Sequence, residues 1–225
     1  MSQSTLKNKI SLSQVDGTHF DVGSCTIIFG PMFSGKTTEA ITRVGECSDI
    51  GLNCLWINNS RDVRITKFTS SLITSHSSTF KGLSDNVDCI KASKLSEVNV
   101  NNYDVIGIDE GQFFPDIVTV VRKWVLKMNK KIIIASLDGD FKMMPFGNDP
   151  EQRVTNLISI CDPGAIIKKG AICKLCMMKA KLTRHHRLVP AGFTMRTGGG
   201  DAQILVGGEN FYQPVCMKCY QDHNK

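Results

Sequence analysis

A chain of 225 residues, 41% hydrophobic with a net charge of +6, can bury one full core, or one core with a small satellite. No apolar run nears the roughly 18 residues of a membrane helix, and the polar stretch from Met1 to Gln14 lacks the apolar segment of a secretory signal; the expectations are a flexible tail over residues 1–23, no membrane partner and a cytoplasmic setting. The charge suits anionic ligands such as nucleotides but is too mild to argue for a nucleic-acid groove.

Cys25-Thr-Ile-Ile-Phe29 is an apolar, partly β-branched run that suits a buried strand. It leads into Gly30-Pro31-Met32-Phe33-Ser34-Gly35-Lys36-Thr37, which fits G-x-x-x-x-G-K-[ST] at every fixed position. The two glycines let successive N–H groups turn inward at phosphate oxygens, Lys36 supplies charge for the β- and γ-phosphates, and Thr37 offers a hydroxyl to Mg²⁺. From Thr37 to about Ile50, Ala40, Ile41, Val44 and Cys47 fall at helical spacing. Strand, loop and helix therefore come in the order a phosphate-binding loop requires.

A second strand is expected over Asn53–Ile57, a Ser/Thr-rich loop over Asn58–Phe80 and a short strand over Val87–Ile90. Tyr103-Asp-Val-Ile-Gly-Ile-Asp109 is a third clear strand, expected beside the first and ending in a carboxylate placed to hold Mg²⁺. Glu110 follows, either as a base that takes a proton from an attacking hydroxyl or as a solvated strand end. In Gly111-Gln112-Phe113-Phe114, two aromatics can wall a pocket or pack in the core. Ile117, Val120, Val121, Trp124, Val125 and Met128 form one helical stripe, and Lys131–Leu137 is another buried strand. Continuous apolar strands alternating with helices indicate a parallel α/β sheet covered on both faces over residues 24–165.

Beyond Pro163 the helical periodicity fades, and basic residues, glycines and paired cysteines take over. Cys173-Lys-Leu-Cys176 and Cys216-Met-Lys-Cys219 are two C-x-x-C units whose four thiolates can close a tetrahedral Zn²⁺ site; disulfide or redox pairing is the alternative, and His223 and Cys161 are substitute ligands. A full ligand set leaves no open position, so this zinc would hold structure, and residues 166–225 are expected to form a small metal-stapled domain. The 39 residues between the pairs suit a lid pinned at both ends. The basic cluster of Lys168, Lys169, Lys174, Lys179, Lys181, Arg184 and Arg187 reads as a solvated face, since it lacks interleaved aromatics.

Together these motifs resemble the type II thymidine kinases, the cellular and poxvirus-like class. The matching stretches are Gly30–Glu39, Val105–Ile117, Leu137-Asp-Gly-Asp-Phe141 with Pro145-Phe-Gly147, both cysteine pairs, and Val206-Gly-Gly208 before Tyr212. The resemblance implies a RecA-like phosphate-loop fold with a zinc-binding lasso domain over the nucleoside, and transfer of the ATP γ-phosphoryl group to the 5′-hydroxyl of thymidine in deoxynucleotide salvage. It implies Glu110 as catalytic base; Gly30 to Thr37, Asp109, Gly111 and Gln112 around ATP and Mg²⁺; and Met32, Asp62, Arg64, Phe114, Leu137, Phe141, Phe146 and Thr183 around the nucleoside. Gln203, Ile204, Leu205, Val206, Gly207 and Tyr212 match the lasso segment that binds the base. A homotetramer inhibited by dTTP is also implied. The stretch from Thr183 to Cys216 is longer than in cellular members. A DNA-dependent ATPase with a zinc ribbon, and a non-enzymatic nucleotide sensor, are the competing readings; intact Lys36, Thr37, Asp109 and Glu110 argue against the second.

Overall fold

This computed structural model describes residues 22–61, 87–183, 188–198, 200, 202–203 and 211–223. Strand β1 (Ser24–Phe29) runs into the glycine loop, and helix α1 (Lys36–Asp49) leaves it. There follow β2 (Cys54–Asn59), β3 (Val87–Ala92), β4 (Val105–Ile108), α2 (Ile117–Met128), β5 (Lys131–Ser136) and β6 (Ile166–Lys168). These six strands form one sheet in the order β3-β2-β4-β5-β1-β6, with every pairing parallel.

Alternation along each strand divides the apolar residues between two cores. On β1, Ile27 joins Ile117, Val121, Trp124 and Val125 of α2, while Ile28 faces Ala40, Ile41 and Val44 of α1. A strand buried on both faces must be apolar at every position, which is why these strands read as continuous runs. Gly107 is small for a packing reason: a Cβ there would lie 2.3 Å from the Trp56 ring and 2.9 Å from Val44.

Three expectations change here. β4 is not the neighbour of β1; β5 lies between them, so the carboxylate strand and the phosphate-loop strand flank a third strand whose end also faces the site. The boundary expected at residue 166 falls inside the large sheet, because β6 pairs with β1 from Ile27↔Ile166 to Phe29↔Lys168. Helices also persist beyond it: α3 (Lys174–Thr183) and α4 (Met217–His223) each begin one residue after a cysteine of a pair. Their periodicity was hidden because much of their inner surface is sulfur, with lysines elsewhere.

The remainder is two small antiparallel ladders, β7 (Ala171–Ile172) with β8 (Pro190–Ala191), and β9 (Phe193–Arg196) with β10 (Tyr212–Val215). Its core is slight: Cys173, Ala191, Met195, Val215 and Cys219 are the buried members. So small a core needs a further staple.

Candidate active site

The glycine loop sits at the C-terminal end of β1, where ligands of open α/β sheets bind. Gly30 has φ +155°, and a Cβ would lie 2.4 Å from the Lys169 carbonyl oxygen, so only glycine fits. Lys36 is buried and its Nζ donates to the Pro31 carbonyl at 2.9 Å. The Thr37 hydroxyl donates to Asp109 Oδ1 at 2.9 Å, with both residues buried. A hydroxyl beside a carboxylate is an oxygen donor set suited to Mg²⁺. Lys169, just past β6, bonds Glu39 of α1 at 3.0 Å, and Lys168 bonds Asp138 at 2.7 Å, so two lysines of the expected basic face engage acids around the loop. The Lys169 contact, followed by that of Arg43, holds the Glu39 carboxyl below its usual range despite some burial.

Glu110 follows Asp109 in the left-handed region at φ 51° and ψ 47°. A non-glycine residue held there stores strain of about 1–3 kcal/mol, of a kind that clusters at functional sites. Its carboxylate Oε2 accepts a 2.6 Å hydrogen bond from Gln112 Nε2. The Gln112 orientation is unambiguous: its Oε1 accepts from the Leu137 N–H and the Ser136 hydroxyl, each at 3.0 Å, so the amide nitrogen must face Glu110. Gln112, expected at ATP, is thus engaged at both ends between Glu110 and the end of β5. Gly111 is buried against Ile134, where a Cβ would lie 2.7 Å away.

Of the two adjacent aromatics, Phe114 is 1% exposed and lies in the α2-side core. Phe113 is the half-buried one, edge-on to Phe146 with ring centroids 5.6 Å apart. Phe114, expected in the pocket, is thus packed in the core, and Phe113 is the one of the two that meets Phe146. Met32 and Leu137 are half-buried nearby in sequence to these groups. Asp62 and Arg64 lie outside the described residues, as do Ile204 to Gly207.

The small zinc-type unit meets this edge through specific bonds. Met32 N–H donates to the Thr194 hydroxyl at 2.9 Å. Thr183, expected in the pocket, is the last residue of α3, and Thr194 is a threonine whose hydroxyl meets the phosphate loop. Gln203 donates to Asp140 Oδ2 at 2.7 Å and accepts from Gly147 N–H at 3.1 Å, while Asp140 Oδ1 accepts from the N–H groups of Lys142 and Met144. Tyr220 donates to the Phe141 carbonyl at 2.8 Å. The Arg196 guanidinium carbon stands 3.8 Å over the Phe141 ring, and one of its nitrogens meets the Tyr212 hydroxyl at 2.6 Å. No local pattern marked Thr194 or Arg196, and Asp140 was quoted only as part of the Leu137–Phe141 stretch; the contacts to Met32, Phe141 and Gln203 that give them their place join distant parts of the chain.

The four paired cysteines converge, with all Sγ atoms within 4.8 Å of one another. Tetrahedral zinc with Zn–S of about 2.3 Å requires S···S edges of roughly 3.8 Å. Cys176 Sγ lies 3.8 Å from Cys216 Sγ and 3.5 Å from Cys219 Sγ, so the set fits the ion. Burial raises the Cys173 thiol, but N–H groups of Cys176 and Cys216 outweigh it and bring it down to about 7. None of the nine cysteines is joined in a disulfide, and Cys161 packs against the core that holds Cys25. No helix among the described residues is long and apolar enough to cross a membrane.

Comparison with known proteins agrees with this geometry. The family model described as thymidine kinase matches residues 23–220. The thymidine kinase of Vaccinia virus (strain Western Reserve) is 36% identical over 202 residues, covering 89% of this chain and 98% of that protein. Thymidine kinase 1 of Dictyostelium discoideum is 37% identical over 207 residues, covering 90% of this chain and 80% of that protein. The Monkeypox virus thymidine kinase is 35% identical over 202 residues, 89% and 98% of the two chains.

Proposed function

The chain belongs to the thymidine kinase family, and from that premise we propose that it transfers the γ-phosphoryl group of ATP to the 5′-hydroxyl of thymidine, giving dTMP and ADP for DNA precursor synthesis. The N–H groups of residues 30–37 cradle the donor phosphates, and Lys36 turns from the Pro31 carbonyl to their charge. Thr37 and Asp109 would hold Mg²⁺, which would supply neutralisation of charge on the donor phosphates. The acceptor's 5′-oxygen attacks the γ-phosphorus, its proton passes to the Glu110 carboxylate, and the bond from the γ-phosphorus to the β–γ bridging oxygen breaks. Gln112 steadies Glu110 throughout by donating to Oε2.

The observation that carries this reading is Glu110 itself. A carboxylate adjoins the metal-holding aspartate, in a strained backbone conformation, with a buried amide dedicated to orienting it. Such strain suits a positioned base. Phe113, Phe141 and Phe146 offer an aromatic wall for a nucleobase, and Thr194 and Gln203 bring the zinc unit to the same edge.

Three finer points follow from the family resemblance. dTTP, which joins the acceptor's base to a donor-like triphosphate, inhibits by filling parts of both half-sites; the active form is a homotetramer; and the enzyme works in the cytoplasm, where ATP and the nucleoside meet.

Release of ADP in a coupled assay, run with a panel of nucleosides and with DNA, tests the reading. Thymidine-dependent ADP release with formation of dTMP is expected. Release stimulated by DNA and indifferent to thymidine would overturn it in favour of a DNA-dependent ATPase. Glu110→Gln should keep nucleotide binding, by isothermal titration, and lose turnover by about 10²–10⁴, the range a positioned base contributes. Near-normal turnover would remove Glu110 from the base role.

A further inference from the structure

Lys169 crosses the phosphate loop without belonging to its motif. It is the first residue past β6, and its N–H donates to the Phe29 carbonyl at 2.8 Å, at the end of β1. Its carbonyl oxygen closes on Gly30, the first fixed glycine, and leaves no room for a Cβ there. Its side chain runs past the second, with Cε 3.9 Å from where a Cβ on Gly35 would stand. The ammonium then reaches Glu39 Oε2 at 3.0 Å, and the two side chains are only 30% and 31% exposed. Glu39 lies in the first turn of α1, and its own N–H donates to the Gly35 carbonyl. Its other oxygen, Oε1, accepts from Arg43 Nε at 3.0 Å, one turn further along the helix. An acid in this turn favours the helix dipole but opposes any anion bound at the same terminus.

Resting on the reading of residues 30–37 as the donor's phosphate loop, we propose that Lys169 is a positioning residue for ATP, which neutralises Glu39 beside the loop so that the triphosphate meets an uncontested helix N-terminus. The triphosphate is the most highly charged part of either substrate, so one uncompensated carboxylate in the first turn acts directly on its affinity. Partial burial leaves that interaction less screened than a pair in open water. Arg43 cannot take over the task, since it already holds Oε1 and stands a turn further from the loop. The acceptor is affected differently: a nucleoside carries no charge for Glu39 to repel. Lys169 thus acts through Glu39, and its weight falls on donor binding alone.

The test is isothermal titration of ATP·Mg²⁺ into the full-length protein, with steady-state kinetics beside it, for Lys169→Met, Glu39→Gln and the two combined. Methionine keeps an apolar stem over Gly35 and removes the charge, so the Kd for ATP·Mg²⁺ should rise about three- to thirtyfold, the effect of one partly screened charge. Removing the Glu39 charge as well should bring the Kd back to within about threefold of the parent. The gap between Lys169→Met and the parent should narrow as salt is raised from about 0.05 to about 0.5 M. The KM for thymidine should stay within about twofold. A loss that comes from a distorted loop would persist in the double variant, persist at high salt or raise the thymidine KM as well, and any of these overturns the proposal. So does an unchanged Kd in Lys169→Met. If Lys169→Met does not fold, Glu39→Gln decides alone: a lower Kd is expected, and an unchanged or higher one overturns the proposal. The parent is run first. Binding of ATP·Mg²⁺ without phosphorylation of thymidine defeats the kinase reading and leaves this one standing, whereas no binding at all defeats the reading of the loop.

Discussion

Thr194 shows how a single hydroxyl can carry information that spacing cannot. Its oxygen accepts the Met32 N–H inside the phosphate loop, across 162 residues of sequence. The family resemblance offered Thr183 for the pocket, and nothing in the spacing marked Thr194 as the threonine that meets the phosphate loop. Phe113 and Phe114 make the same point, since two adjacent aromatics cannot be sorted by composition, and the 3₁₀ turn over Gly111–Phe113 decides which faces the core. Thr194→Val keeps shape but leaves the Met32 N–H without this acceptor, which should cost about 1–3 kcal/mol. ATP can satisfy loop N–H groups through its phosphates, so ATP should raise the melting temperature of the variant more than that of the parent. Thermal melts with and without ATP·Mg²⁺ check this, and equal shifts would contradict it.

Among the elements, the first five strands, the first two helices and the glycine loop were legible because each is spelled locally, whereas β6 was read as part of the cysteine unit. Apolar runs mark the strands, a one-sided stripe marks α2, and the loop has fixed positions. Strand order was not legible: β5 between β1 and β4 reflects long-range pairing that no local pattern records. Nor were α3 and α4, whose inward positions include metal ligands. Gly107 lies in mid-strand and is required by Trp56 and Val44 across the α1 face. Gly107→Ala would overpack that contact, costing about 1–3 kcal/mol, which corresponds to roughly 2–12 °C of melting temperature for a chain of this size. Differential scanning calorimetry reads the cost, and a shift in Trp56 fluorescence should accompany it; an unchanged melting temperature would show that the strand can move aside.

In the whole molecule, two units of unequal self-sufficiency share one site. The sheet buries two extensive apolar layers, whereas the cysteine unit has a slight core and four converging thiols. Structural zinc in small units contributes on the order of 10 kcal/mol or more to folding. Metal analysis should therefore find about one Zn²⁺ per chain, and removing it with a strong chelator should abolish thymidine binding before ATP binding, by titration of each ligand separately. Zinc-free protein that binds thymidine normally would contradict this division. The proposed site was half legible: the phosphate loop is a contiguous motif, but β9, β10 and the loop after β5, to which the proposal gives the acceptor, meet only in the fold.

β9 has a thermodynamic corollary. Thr194 and Arg196 are two residues apart on one strand, the first bonded to the phosphate loop and the second to the ends of the 204–211 stretch. Side chains two apart share a face, so on the proposed reading the strand links the phosphate loop to the acceptor side of the site. Any energy by which bound ATP alters the grip on thymidine must be returned in equal measure by thymidine on ATP, because coupling free energies are reciprocal. Closing the cycle of four dissociation constants, for each substrate with and without the other, would measure that coupling.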